Sequence, residues 1–268
     1  MRYGFCTGFA TPMKDAIDYA LLADVREAGY HFAEFPLMQV AALSDDAFAQ
    51  LRRTLPQLGL GADSACNLFA PSLRLTGPDA RREPVHEYLA GAFERLGALG
   101  TRKLVFGSSG ARNLPAGTST EEGYRQLAEM IEVEMLPLLE AYGITLLIEP
   151  IGGYEANFIR TLPEGMALVE QVNHPRVRLL ADSVHLLWER EDPQDIARYA
   201  AYLGHVHICE SERVLPVAGY SAALARILDV LRATGYHESI SFEPMPYGRD
   251  AMAQALRTLR ATMEGEHE

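Results

Sequence analysis

The sequence contains little cysteine, little tryptophan and a deficit of positive charge. Its 268 residues include three cysteines, one tryptophan and 24 lysines and arginines against 36 aspartates and glutamates, which gives a formal net charge of −12. Three scattered cysteines do not make a disulfide scaffold or a zinc knuckle, so we expect a reduced, cytoplasmic protein. We expect no nucleic-acid or membrane partner, because binding to either depends mainly on lysine and arginine.

Long apolar runs and glycine-rich phosphate motifs are also missing. No stretch approaches the roughly 20 consecutive apolar residues that span a bilayer, and residues 1–8 lack the apolar core of a signal peptide. No Gly-x-Gly-x-x-Gly follows the first predicted strand, which disfavours an open dinucleotide-binding sheet. Hydrophobic residues make up 48% of the chain and charged residues 22%, a composition that excludes extensive disorder.

Short apolar runs alternate with segments of helical period along the chain. Strands are predicted at residues 2–7, 31–37, 60–67, 103–108, 144–151, 177–185, 205–210 and 239–244, and helices at residues 15–28, 45–58, 84–99, 121–142, 163–172, 193–203, 221–233 and 250–263. Eight strand–helix units leave 33.5 residues for each (268/8). We therefore expect an α/β chain that folds as a single (β/α)8 TIM barrel over residues 1–268.

Each of the last four predicted strands carries a side chain that can bind a metal ion. The strand ends read Ile-Glu149-Pro, Ala-Asp182-Ser, His-Val-His207-Ile and Phe-Glu243-Pro. In a parallel barrel the carboxyl ends of the strands meet at one rim, where converging negative charges repel each other unless a cation lies among them. Three carboxylates and one imidazole suit one divalent ion per chain, and we expect Mn²⁺, with Mg²⁺ or Co²⁺ as alternatives, rather than structural zinc.

Four further polar residues near this rim have two interpretations each. Glu155, His185 and Arg213 could contact substrate oxygens. The alternative is that Glu155 is a solvated charge, His185 a loop histidine bonded to backbone and Arg213 half of a surface ion pair. His205 shares a strand face with His207 because side chains alternate along a strand, and we interpret it as a supporting or core histidine.

The second half of the sequence resembles the xylose isomerase-like TIM-barrel superfamily of sugar isomerases and epimerases, and most closely its D-tagatose 3-epimerase and D-psicose 3-epimerase branch. The likeness rests on Ile-Glu149-Pro, Glu155, Leu-Leu-Ala-Asp182-Ser-Val-His185, His205-Val-His207, Arg213-Val-Leu-Pro and Phe-Glu243-Pro. The resemblance implies that Glu149, Asp182, His207 and Glu243 bind the metal and that Glu155, His185 and Arg213 bind a small sugar. It also implies a homodimer or homotetramer.

A site of this kind is suited to removing a proton next to a carbonyl. The metal would hold the enediolate, while Glu149 and Glu243 would act as the acid/base pair that removes and returns the proton. We expect ketose 3-epimerisation. Three alternatives stay open: aldose–ketose isomerisation of the hydroxypyruvate type, a metal-dependent lyase reaction on oxidised sugar glycosides, and a non-catalytic sugar-binding barrel.

Two charged residues of the first half remain ambiguous in the sequence. Glu34 could bond a substrate hydroxyl or pair with an arginine, and Arg112 lies among glycines that could accompany a phosphate. No cluster of lysine, arginine and helix-start glycine forms a dedicated phosphate motif, which favours an unphosphorylated sugar.

Overall fold

Eight strands in the residues that the computed structural model describes, 1–8, 17–245 and 248–265, form a closed parallel barrel. They pair in chain order, and the last pairs with the first. The strands are β1 (Arg2–Cys6), β2 (Phe32–Pro36), β3 (Ser64–Cys66), β4 (Lys103–Phe106), β5 (Thr145–Ile148), β6 (Val177–Asp182), β7 (Leu203–Ile208) and β8 (Ser239–Phe242). The predicted (β/α)8 barrel is confirmed, whereas the single domain over residues 1–268 extends beyond these ranges and stays a prediction.

Helices cover the outside of the barrel. They are α1 (Tyr19–Glu27), α2 (Leu37–Ala42), α3 (Asp45–Leu58), α4 (Arg82–Leu99), α5 (Ser109–Arg112), α6 (Thr120–Met130), α7 (Leu136–Tyr142), α8 (Leu162–Val172), α9 (Ser183–Glu189), α10 (Gln194–Tyr199), α11 (Ala222–Ala233) and α12 (Arg249–Glu264). The short helices α2, α5 and α9 were not predicted. Residues 15 and 16, where the first predicted helix begins, lie outside the described ranges.

Local sequence signals explain the helix bounds, and α3 illustrates them. The Ser44 hydroxyl accepts a hydrogen bond from the Ala47 N–H, and Asp45 and Asp46 follow in the first turn, where the helix dipole favours negative charge. Gly59 ends the helix in the left-handed conformation, with a φ of 65°. The bounds predicted for this helix are confirmed.

The predicted helix at residues 121–142 is interrupted. A π-helical turn, Ile131–Met135, separates α6 from α7. Pro137 follows this turn and has no N–H to donate to the carbonyl of Val133. The chain nevertheless stays helical from Thr120 to Tyr142, with a π turn in place of regular α-helix.

Strand β6 is shorter than predicted because Asp182 begins a helix. Its Oδ1 accepts from the N–H groups of Val184 (2.6 Å) and His185 (3.2 Å), which is the arrangement of a helix N-cap. The prediction of strand through His185 was wrong, and His185 lies in the first turn of α9.

A one-residue irregularity interrupts the pairing of β7 with β6. Leu203 pairs with Leu179 and His205 pairs with Leu180, so Gly204 is an extra residue without a partner on β6. Leu203 packs in the larger apolar cluster with Val206 and Ile208, the cluster that the helix faces share. His205 and His207 consequently point into the barrel.

The apolar core has two parts. The larger cluster fills the space between the strands and the helices, and a small cluster of Cys66, Val105, Leu147 and Leu180 lies inside the barrel. Across the described part of the chain, we find no helix with the length and apolar content needed to cross a bilayer.

Candidate metal centre and active site

Four side chains from consecutive strands converge at the carboxyl end of the barrel. Glu149 directly follows β5, Asp182 ends β6, His207 lies near the end of β7 and Glu243 directly follows β8. All four are buried, and one ligand atom from each lies within 4.8 Å of those of the others. The structure thus brings together the four residues that the sequence singled out.

The Nδ1 atom of His207 is surrounded by carboxylates. It lies 3.3 Å from Glu149 Oε1, 3.7 Å from Glu243 Oε2 and 3.8 Å from Asp182 Oδ2. Burial alone lowers the pKa of His207, but the negative charges of Glu34 and Glu243 outweigh burial and raise the pKa well above its usual range. The local field at this rim therefore favours a cation.

Two atoms of this group are buried without hydrogen-bond partners. Asp182 Oδ2 and His207 Nδ1 make no hydrogen bond with any residue in the described ranges, and buried polar atoms rarely stay unsatisfied. Three carboxylates and one imidazole nitrogen form a donor set that suits a hard divalent cation. The residues present therefore fit such an ion.

Glycine at position 107 leaves room for the Glu149 carboxylate. A β-carbon at Gly107 would collide with Glu149 Oε2 and would approach Ile151 Cδ1 to 3.1 Å. Gly107 directly follows β4, the neighbour of β5. The position of Glu149 thus depends on a residue of the preceding unit.

Glu155, His185 and Arg213, the residues predicted to bind substrate, meet around the Arg213 guanidinium. Its Nη1 donates to Glu243 Oε2 at 2.9 Å, and its Nη2 lies 3.3 Å from His185 Nε2 and 3.4 Å from Glu155 Oε1. Burial alone lowers the pKa of Arg213, but the charges of Glu243, Asp182 and Glu155 raise it above its usual range. Arg213 therefore stays charged beside the four-residue group.

The backbone of Arg213 is held in a rare conformation. Its φ is 55°, in the left-handed region. The strained turn is tied down on both sides, because its N–H donates to the Glu210 carbonyl at 2.8 Å and its carbonyl accepts from the Met245 N–H at 2.6 Å. This turn directs the guanidinium towards Glu243.

The Trp188 ring packs against two of these side chains, His185 and Arg213. Its ring centroid lies 5.3 Å from that of His185, and the Arg213 guanidinium carbon lies 5.3 Å from the Trp188 ring. The indole N–H donates to the Ser211 carbonyl at 3.1 Å. This geometry resembles a cation–π contact and fixes the orientation of Arg213.

A cavity of about 180 Å³ opens over this group. Its ionisable lining residues are Glu149, Glu155, His185, Arg213 and Glu243. The rest of the lining combines the apolar side chains of Met38, Phe69, Pro71 and Ile151 with the polar residues Asn67, Ser108 and Ser109. A small, polyhydroxylated molecule could place oxygens against the polar residues and carbon against the apolar ones.

Arg112 has a different position from the one the sequence suggested. It is buried, and its guanidinium donates to the backbone carbonyls of Gly107, Phe158 and Glu149. Burial lowers its pKa to about 10. Arg112 thus joins the loops after β4 and β5, and the suggestion of a phosphate contact was wrong.

Glu34 is likewise neither a substrate contact nor an arginine partner. It is fully buried inside the barrel, where its carboxylate contacts His205 and His207. Burial alone raises its pKa, but the charges and N–H groups of His207 and His205 outweigh burial and hold the pKa well below its usual range. The interpretation of His205 as a supporting histidine agrees with this contact.

Comparison with known proteins places these features in a family. The sequence profile of the xylose isomerase-like TIM barrel family matches residues 22–262. An L-ribulose 3-epimerase from Mesorhizobium japonicum is 30% identical over 224 residues, which cover 83% of this chain and 73% of that protein. A D-psicose 3-epimerase from Ruminiclostridium cellulolyticum is 29% identical over 136 residues, which cover 50% of this chain and 46% of that protein.

Solved structures agree on the fold. A D-psicose 3-epimerase crystallised in the presence of D-fructose superposes with a TM-score of 0.84 at 20% identity, over 98% of this chain and 99% of that one. The resemblance predicted from the strand-end residues is confirmed by the profile match and by the curated 3-epimerase relatives. The chain belongs to the xylose isomerase-like TIM barrel family.

Proposed function

We propose that this protein is a divalent-metal-dependent epimerase that inverts C3 of an unphosphorylated ketose. It is an isomerase-class enzyme, as the curated relatives named above are. The observation that carries the proposal is the pairing of two carboxylates, Glu149 and Glu243, in one buried group of four potential ligands. An assembly of two or four copies and a cytoplasmic location remain predictions from the sequence.

Glu149, Asp182, His207 and Glu243 would hold the ion, and we propose Mn²⁺, with Mg²⁺ or Co²⁺ as alternatives. When bound, a divalent ion stabilises the negative charge that develops on substrate oxygens as a neighbouring C–H loses its proton. The remaining chemistry belongs to the side chains of this chain.

Glu149 and Glu243 would act as the acid/base pair. One ionised carboxylate removes the C3 proton, and the other carboxyl group, protonated beforehand, delivers a proton to the opposite face of C3. After the reaction, the carboxyl group that was ionised is protonated and the one that was protonated is ionised. Both exchange protons with water before the next turnover. Solvent hydrogen therefore enters at C3.

Glu155, His185 and Arg213 would orient the substrate. The Arg213 guanidinium and the His185 ring reach the cavity from the side of Glu243, where they can bond hydroxyl or carbonyl oxygens. The same contacts keep the Glu243 carboxylate in place.

The charge of the cavity favours a neutral substrate. Among the described residues that line it, Arg213 is the one arginine or lysine, and it already faces Glu243 and Glu155. A phosphate group would meet the carboxylates of Glu149, Glu155 and Glu243 without a free counter-charge.

The test is proton NMR of ketoses in D2O. D-psicose, D-fructose, D-tagatose and L-ribulose are each incubated with protein loaded with Mn²⁺ or Mg²⁺, and Mn²⁺ is removed with a chelator before the spectra are recorded. We expect deuterium at C3. Deuterium at C1 would instead indicate aldose–ketose isomerisation, and no exchange in any sugar would contradict the proposal.

Two variants control this experiment. Glu149→Gln is isosteric but cannot accept a proton as a carboxylate does, so exchange should be abolished. Glu170→Gln changes an exposed carboxylate on α8, outside the cavity, and should exchange like the wild type. Equal exchange in the wild type and Glu149→Gln would remove Glu149 from the acid/base pair.

A further inference from the structure

A hydrogen-bonded carboxylate lies inside the barrel directly beneath the four-residue group. Glu34 Oε1 lies 2.9 Å from His207 Nε2, and Glu34 Oε2 lies 2.9 Å from His205 Nε2. The same Oε2 accepts from the hydroxyls of Ser64 (2.6 Å) and Ser241 (2.7 Å). The four groups around this carboxylate come from strands β3, β7 and β8.

This contact determines which nitrogen of His207 carries a proton. A carboxylate accepts hydrogen bonds and does not donate them, so the His207 Nε2 facing Oε1 carries the hydrogen. In a neutral ring the other nitrogen, Nδ1, then has the free lone pair. Nδ1 is the atom that faces Glu149, Asp182 and Glu243.

We infer that Glu34 is a positioning residue, which orients the His207 ring and directs its Nδ1 lone pair to the metal. The inference rests on the proposed function, since it supposes that the four-residue group holds an ion. A ring free to rotate or to change tautomer would present N–H to the ion part of the time. In the neutral ring, the hydrogen bond to Glu34 disfavours that state.

Glu34 is itself held by a chain of further hydrogen bonds. His205, its partner on the other oxygen, has its Nδ1 2.8 Å from Ser239 Oγ, and Ser239 Oγ accepts from Lys103 Nζ at 2.8 Å. Lys103 also pairs with Glu238 at 2.9 Å. Polar contacts therefore run inside the barrel from the start of β4 and β8 to His207, beside the small apolar cluster of Cys66, Val105, Leu147 and Leu180.

The test compares the wild type, Glu34→Gln and Ser64→Ala. An amide at position 34 can donate its N–H to His207 Nε2 and so favour the tautomer that blocks Nδ1. Mn²⁺ titrated calorimetrically into chelator-treated protein should bind about 10–100-fold more weakly to Glu34→Gln. Ser64→Ala removes the hydrogen bond to Glu34 Oε2, the oxygen that faces His205. It keeps the contact between Glu34 Oε1 and His207, so its Mn²⁺ affinity should change much less.

A spectroscopic measurement separates positioning from general support of the fold. In ¹⁵N–¹H spectra of the metal-free wild type, His207 should show a protected, downfield Nε2 proton, because that proton is hydrogen-bonded to a buried carboxylate. Glu34→Gln should lose this signal while its metal-free Tm stays close to that of Ser64→Ala. Unchanged Mn²⁺ affinity in Glu34→Gln, or no such proton in the wild type, would overturn the inference.

If Glu34→Gln does not fold, Glu34→Asp tests the same point. It retains an acceptor one methylene farther from His207, so Mn²⁺ affinity should fall although the Nε2 proton is kept. Wild-type affinity in Glu34→Asp would overturn the inference. These outcomes are independent of C3 exchange: a wild type that binds Mn²⁺ but exchanges no sugar proton contradicts the proposed reaction and leaves the role of Glu34 measurable.

Discussion

The first and second halves of the barrel, β1 to β4 and β5 to β8, contribute different kinds of residue to the carboxyl-end rim. Strands β5 to β8 end in Glu149, Asp182, His207 and Glu243, whereas the described cavity-lining residues that follow β2, β3 and β4 include no carboxylate. The first half instead provides support from within, through Glu34, Gly107 and Arg112. The proposed reactive groups thus come from the second half, and part of their support comes from the first.

This difference explains why the two sets are not equally visible in a sequence. The reactive set is local, because each member lies at or beside the end of an apolar strand. The supporting set acts across strands: Glu34 contacts residues 30, 171, 173 and 207 positions away. Changes in each half should therefore have different signatures.

The largest expected effect is in the second half, on activity. Glu243→Gln removes the charge of one member of the proposed acid/base pair, so kcat for C3 exchange should fall by at least about 10²–10⁴-fold. The rate of deuterium incorporation gives this value directly, with Glu170→Gln as the matched control. Wild-type kcat in Glu243→Gln would contradict its role.

A smaller loss of activity is expected from the first half. Gly107→Ala pushes a methyl group into the Glu149 carboxylate, and displacing a reacting group by about 1 Å can cost ~10²-fold in rate. Gly91→Ala, on the exposed side of α4 with no atom within 4 Å of the added carbon, should leave the rate unchanged. If both variants keep full activity, Gly107 does not set the position of Glu149.

The third effect concerns stability. Arg112→Ala leaves several buried carbonyls without their donor, so the free energy of unfolding should fall by about 3 kcal/mol. Urea denaturation measures this loss. Arg125→Ala removes an exposed arginine that pairs with Glu122 and Glu129 on α6 and should change the unfolding free energy little. Equal losses in the two variants would contradict the structural role of Arg112.

The smallest expected effect is on the pH dependence of stability. It involves Glu191, which belongs neither to the four rim residues nor to the residues that support them. Glu191 accepts from the Leu162 N–H at 2.8 Å; burial, reinforced by the charges of Asp195, Glu189 and Glu164, raises its pKa from 4.5 to about 7. An acid with a raised folded-state pKa disfavours the folded state once ionised, so the ionisation of Glu191 should lower the free energy of unfolding between about pH 4.5 and 7.

Glu191→Gln should remove the contribution of this ionisation. We expect the variant to be roughly 1–2 kcal/mol more stable than the wild type at pH 8 and equally stable at pH 4. Urea denaturation at pH 4, 6 and 8 measures the difference. A constant offset between the two proteins at all three pH values would show that ionisation of Glu191 is not the cause.

The sequence was sufficient for the barrel and for the four strand-end residues. Alternating apolar runs and helices in units of even length predicted the eight strands, and the rim residues lie at or beside the ends of such runs. It placed His185 near the site but gave it the wrong conformation, because periodicity does not reveal that the Asp182 carboxylate caps a helix. It was insufficient for Glu34 and Arg112, whose partners are set by strand neighbours that only the closed barrel brings together.

The extra residue in β7 also bears on how this barrel can be rebuilt. Counted from Leu203 as an ordinary strand, every second side chain would place His205 and His207 on the side of the helices and Val206 in the lumen; Gly204 reverses that parity. A chimera that takes β7 from another barrel must therefore keep an extra residue at the position of Gly204. A junction one residue out of phase would turn the imidazoles outward and leave the four-residue group without His207.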